Sequence, residues 1–285
     1  MPFKIYVDSR FRVQTGGSSS DTEFAIELPH PLQVKGKAFI DTCLVPNTFY
    51  TIRAGENDRV HLSETVSNTV HYRIAQIAEG QYNAITLKNA LLAAIQTGRQ
   101  HALEYVVEYD IPTSKLVVYN LDPGASFGIY PTGWLRANAA LWNGVAGAGL
   151  QIDPRDLQDA GAVLGSGTGT SILFGGPGNP SLVVTMPQAC NVQPYGQLFL
   201  RSSLGNGYDA ISCDGSSDVV RRIVVGGTPL NSTVVDQHGL PHDSITVGNR
   251  ELSSLAFRLT DAEGRTVDTH GHHVSFSIIF LADDE

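Results

Sequence analysis

The sequence predicts an all-β chain folded as a β-sandwich, and three observations carry that prediction. Alternating apolar and polar segments lie near both ends, only one helical pattern is convincing, and the composition is that of loop-rich β proteins, with 29 Gly and 16% charged residues among 285. The clearest alternation closes the chain: Leu255, Phe257 and Leu259 share one face, then Val274, Phe276, Ile278 and Phe280 do, while Ser275 and Ser277 point the other way. Asp261-Ala262-Glu263-Gly264 lies between them and predicts the turn of an antiparallel hairpin, with Gly264 taking the positive φ that other residues avoid.

From the N-terminus, Ile5 to Arg10 is a short strand running into Gln14 to Asp21, whose Gly-Gly-Ser-Ser-Ser centre cannot pack, so residues 1–22 are expected to form a flexible arm. Phe24, Ile26 and Leu28 then alternate, and Lys37 to Ile52 reads as a long strand that must bend, bulge or change partner at Pro46. Residues 59–120 form an expected insertion, with strands near 59–63, 70–77, 105–109 and 115–119, the last two joined as a hairpin through Asp110-Ile111-Pro112-Thr113-Ser114. The helix of this insertion carries Leu87, Leu91 and Ile95 on one stripe, is capped by Asn83 or Thr86 and is closed by Gly98. From 122 to 180 the periodicity fades into a long Gly-rich excursion, expected at the surface or against a partner. Strands resume at 181–186, 197–202 and 219–225. Strands early and late around a mixed middle meet the description of a single jelly roll, spanning 23–285 with the insertion inside it.

Composition narrows the function. A formal charge of −9 argues against direct nucleic-acid binding, because phosphate recognition draws on clustered Lys and Arg; the single pair Arg221-Arg222 reads as a solvated strand position. No apolar run is long enough for membrane insertion and the N-terminus lacks a signal-peptide core, so a soluble chain outside the classical secretory route is expected. In that setting the sequon Asn231-Ser232-Thr233 carries no meaning. Cys43, Cys190 and Cys213 are far apart and predict neither a disulfide framework nor a zinc site.

The search for chemistry returns little. Gly124-Ala125-Ser126-Phe127-Gly128 matches the nucleophile-elbow pattern, but Ile129-Tyr130-Pro131 is a poor helix start, so no catalytic residue is assigned and no enzyme is expected. The run Gly165 to Thr170 lacks the Lys-Ser or Lys-Thr of a phosphate cradle, and no cofactor is expected. His270 and His272, two apart on an expected strand, share a face and are the candidates were a metal to bind; without further ligands none is predicted. Tyr130, Trp134 and Trp142 are the candidate partner or ligand contacts: Trp134 and Trp142 read equally as buried anchors of the excursion or as contacts to a neighbouring subunit, and all three as stacking platforms for a glycan.

Several segments together resemble the penton and minor capsid jelly-roll proteins of Polinton-like elements, virophages and large icosahedral eukaryotic double-stranded DNA viruses. They are Tyr6-Val7-Asp8-Ser9-Arg10, Phe24-Ala25-Ile26-Glu27-Leu28-Pro29, Val45-Pro46-Asn47-Thr48-Phe49-Tyr50, Glu79-Gly80-Gln81-Tyr82 before the helix, and Leu255 to Gly264 before the final Ser-Phe-Ser-Ile strand. The resemblance covers about half the chain, at both ends, and leaves 122–180 unplaced. It implies a structural capsid protein, a homo-pentameric vertex subunit of the virion, made as a soluble intracellular protein in the host. The implied partners are the major capsid protein and a fibre or spike. The alternatives are a ligand- or carbohydrate-binding β-sandwich module and a minor capsid or cement protein.

Overall fold

A computed structural model describes residues 3–13, 20–99, 104–122, 124–142, 145, 158–167, 169, 171–175, 183–204, 215–237 and 243–281. The chain divides into two compact units, one made of residues 1–49 and 195–285, the other of 50–194.

The first unit begins with β1 (Phe3–Asp8), β2 (Glu23–Val34) and β3 (Lys37–Pro46). The chain then builds the second unit from β4 (Arg59–Val66), β5 (Thr69–Gln76), α1 (Ala84–Gln96), β6 (Tyr105–Asp110), β7 (Lys115–Asn120), β8 (Ala125–Ile129), α2 (Thr132–Ala137), α3 (Gly161–Leu164), β9 (Leu173–Gly175) and β10 (Val184–Thr185). It returns with β11 (Gln197–Ser202), β12 (Val219–Val224), β13 (Thr233–Asp236), β14 (Ile245–Thr246), β15 (Arg250–Thr260) and β16 (Ser275–Leu281).

In the first unit the strand order is β1-β16-β3-β13 in one sheet, with β14 also on β3, and β12-β11-β15-β2 in the other. In the first sheet neighbours alternate between early and late strands of the chain, in the second the early strand β2 closes a run of three late ones, and every pairing is antiparallel. This is the wrapping of a single jelly roll, and the second unit enters it between β3 and β11. The core lies between the sheets: Phe24, Ile26, Leu255, Phe257 and Leu259 meet Val7, Ile40, Cys43, Phe276, Ile278 and Phe280. Phe257 and Phe276 touch edge to face at 4.8 Å.

That contact corrects the expected closing hairpin. β15 pairs with β11 and β2, whereas β16 pairs with β1 and β3, so the two strands belong to opposite sheets. Alternation reports which face of a strand is buried; it does not report which strand receives its hydrogen bonds. The Asp261–Gly264 turn does form, with Gly264 at φ 81 and its N–H donating to Asp261 O, but it opens a crossing between sheets. The expected arm is also redrawn. Phe3 to Asp8 is the edge strand β1, because Phe3, Ile5 and Val7 supply an apolar face to the core; Gln14 to Ser19 lie outside the described residues. The expected solvated strand position for Arg221-Arg222 holds for Arg222 alone. Arg221 is 8% exposed and is held by Asp236 and Asp243, each at 2.7 Å, which push its pKa up.

The second unit is wider than the insertion expected at 59–120, because β8, α2, α3, β9 and β10 pack on the same core as β4 to β7. It contains a sheet ordered β5-β4-β8-β9 and a smaller one ordered β10-β7-β6. α1 starts at a reciprocal cap: Asn83 accepts from Ile85 and Thr86 N–H, while Thr86 Oγ1 accepts from Asn83 N–H. Its buried stripe is Leu87, Leu91, Ala94 and Ile95. Its C-terminal end is held by charge, since Arg73 on β5 donates to the carbonyls of Ile95 and Thr97. The same guanidinium bonds Glu64 at 2.6 and 2.8 Å, and Tyr105 donates to Glu64 at 2.7 Å. Glu64 is fully buried, and burial together with that bond pushes the Tyr105 hydroxyl well above its usual pKa, so it stays a donor.

Candidate functional site

The three aromatic candidates are brought together in the second unit. Tyr130 lies 4.5 Å from Trp134 and 5.1 Å from Trp142, ring centre to ring centre, and Tyr72 and His61 meet Trp142 edge to face at 5.5 and 5.0 Å. Trp142 is fully buried, Tyr130 is 4% exposed and donates to Ser63 Oγ, and Trp134 is half-buried. Tyr130 and Trp142 are therefore enclosed, and neither offers a free face to a glycan, while Tyr72, 41% exposed, and the half-buried Trp134 lie at the margin of the cluster. These side chains form a separate small cluster, packed on the far side of the β4 sheet from α1. Ser126 sits within β8 opposite Thr65, in extended pairing that gives no elbow.

His270 and His272 are not on a strand. They flank a tight turn in which His272 N–H donates to Thr269 O at 3.1 Å and both His270 and Gly271 take positive φ, 52 and 78. The strand begins only at Ser275, so the period-two argument for a shared face does not apply. His270 Nδ1 faces Asp268 at 3.4 Å, and among the described residues no group of three metal-ligating side chains converges. The neighbouring His273 has the more definite role: its Nδ1 is 2.8 Å from Asp21, which also holds Arg12 at 2.5 Å, tying the start of β16 to the approach of β2.

The surface most suited to engaging another molecule lies in the first unit, along β1. Tyr6 and Phe11 are 79% and 78% exposed, and Leu44 and Val235, opposite each other on the outer face of the same sheet, are 37% and 52% exposed. Beside β1 runs a groove of about 590 Å³, walled by Tyr6, Phe11 and the β2 residues Ile26 to Pro29, with the small Ser275 and Ser277 exposing its floor and Leu44 beyond.

The charges on this face are paired within the chain. Lys4 donates to Asp41 at 2.6 Å with its ammonium 5.2 Å from the Tyr6 ring centre, and Arg10 clasps both oxygens of Asp8 while lying 5.9 Å from the Phe11 ring. The hydrogen bond from Lys4 lowers the Asp41 pKa, and that from Arg10 lowers the Asp8 pKa. Asp41 reaches this face because the β3–β16 register slips between Ser277 and Ile278, leaving Asp41 as the extra residue of a bulge. No alternation in the sequence signals such a bulge; the only trace is that Ile40 and Cys43, three apart, are both buried.

Among the described residues each sheet of the jelly roll ends on two edge strands, and the N-terminal edges β1 and β2 differ. On β1, Ser9 N–H donates to Val274 O at 2.9 Å, in the register that pairs Phe3 with Phe280 through Asp8 with Ser275. Alternation of the ladder then assigns the main-chain groups of Phe3, Ile5 and Val7 to β16 and points those of Lys4, Tyr6 and Asp8 outward. Among the described residues no strand pairs with that side. On β2, Ala25 O accepts from Val13 N–H at 2.8 Å, and Pro29 and Pro31 have no N–H to offer.

No family model and no curated protein matches the sequence. Among solved structures the chain is similar to the crystal structure of the SeMet-labelled mavirus penton protein, at 6% identity and a TM-score of 0.49, over 98% of this chain and 99% of that one. Among the described residues no helix is long and apolar enough to cross a membrane.

Proposed function

We propose that this chain is a structural capsid subunit, and that it forms the homo-pentameric vertex of an icosahedral particle together with a major capsid protein and a fibre or spike. The observation that supports the reading most is a jelly roll, stiff in its core, whose outer sheet face carries the exposed apolar side chains Leu44 and Val235. A subunit of a closed ring needs a rigid body and a surface that meets a different surface of the next copy, related by a rotation that closes after five steps. The sequence motifs at both ends point the same way. The second unit, inserted between β3 and β11, is then the decoration that distinguishes this vertex from others. It is held by its own core, so it tolerates variation without disturbing the jelly roll. The reading places the chain in the virion and assigns no catalysis to it.

Native mass spectrometry of the purified chain tests the proposal. Five copies are expected. A chain that stays monomeric at high concentration and joins no capsid-like assembly removes its main support.

A further inference from the structure

We propose that β1 is a self-pairing edge, by which two copies of this chain join antiparallel about Tyr6. This goes beyond the vertex reading, because a two-fold contact cannot arise within a five-fold ring.

Three observations converge on this register. The groups left free on β1 belong to Lys4, Tyr6 and Asp8, and a two-fold axis at Tyr6 sets this donor and acceptor series against itself: Lys4 opposite the partner's Asp8, Tyr6 opposite the partner's Tyr6. The same register brings unlike charges together twice. An axis at Lys4 or at Asp8 would instead set like charges opposite each other, which antiparallel pairs disfavour. The side chains also sort by face, since Ile5 meets the partner's Val7 on the core side while the exposed tyrosines meet on the outside. The groove beside β1 gives an incoming strand room, and β1, unlike β2, carries no proline and, among the described residues, receives no covering hydrogen bond to exclude one. Paired in this way, the free subunit hides an edge that would otherwise recruit strands indiscriminately.

The test is a charge swap in the full chain, read by native mass spectrometry and sedimentation across a concentration series. The wild type is expected to double with concentration. Lys4→Asp and Asp8→Lys, each alone, put like charges opposite each other twice and are expected to weaken doubling on the order of tenfold. The double variant is expected to restore it, even though it disrupts both Lys4–Asp41 and Asp8–Arg10 within the chain. A double variant as weak as the singles would assign the loss to those internal pairs and overturn the proposal. So would single variants that double normally, or a wild type that never doubles, which would leave the groove to a strand of another protein. Rings of five that persist in the single variants while doubling is lost support the proposal and leave the vertex reading intact; rings lost while doubling persists count against the vertex reading alone.

Discussion

The two compact units solve the same problem of cohesion by different means. In the jelly roll, two sheets bury apolar faces against each other, and its buried arginines, Arg201 and Arg221, hold Asp218, Asp236 and Asp243 away from the aromatic centre of the core. The inserted unit has an apolar core too, but adds under α1 a buried network in which the Glu64–Arg73 ion pair and the Tyr105 hydroxyl fix the end of that helix to the sheet. Apolar faces are forgiving of exchange and dispersed in sequence; a buried charge network is specific and brittle, because each member is costly once its partner is removed. The difference teaches where each unit should fail first.

The largest effect is expected in the inserted unit. Arg73→Met leaves Glu64 buried beside Tyr105 without its cation and should cost about 3–5 kcal/mol, seen as lost amide-exchange protection in β4, β5 and α1. Adding Glu64→Leu to it should recover most of that loss, since an apolar replacement of the whole pair removes the orphaned charge; no recovery would show that the pair contributes more than mutual neutralisation. In the jelly roll, Leu255→Ala should cost about 2–5 kcal/mol by cavity formation, with exchange rising in β15 and its neighbours. Next comes Gly161, where an added Cβ would lie 2.5 Å from Asp159 Oδ2, 2.6 Å from Ser166 Oγ and 2.7 Å from Thr132 Oγ1. Gly161→Ala should destabilise by about 1–3 kcal/mol through overpacking, and Thr132→Ala in the same chain should relieve part of it.

The smallest effect is a dependence on pH that differs between the units. Asp8 and Asp41 have folded pKa values below their ordinary 3.8, so what they contribute to anchoring β1 is complete above that value and is lost as pH falls through the lowered one. Tyr105 is raised above its ordinary 10.0, so its contribution is complete below that value and is lost as pH rises beyond it. Amide exchange followed against pH should therefore loosen β1 first on the acid side and the α1 region first on the alkaline side. The reverse order would contradict the assignment of these pairs.

Much of this was legible in the sequence. The inward faces of the closing strands, the cap of α1 at Asn83 and the pairing of β6 with β7 follow from periodicity and turn chemistry, which are local. The partners of β15 and β16 did not follow, because residues alternating toward one core look the same whether their strand sits in the near sheet or the far one. Asp41 was hidden by a bulge, and Arg221 by a pairing with Asp236 and Asp243 that no short motif announces. Trp142 was legible as a buried anchor of its excursion; that it packs against Tyr130 depends on α2 and its surroundings, in a stretch where the sequence shows little periodicity.

The central claim is that the jelly roll is built to form a five-fold vertex, and its most direct test is the rotational symmetry of the purified assembly in electron-microscope class averages. The account predicts rings with five-fold symmetry. Isolated monomers at every concentration, or rings of another order, would contradict it.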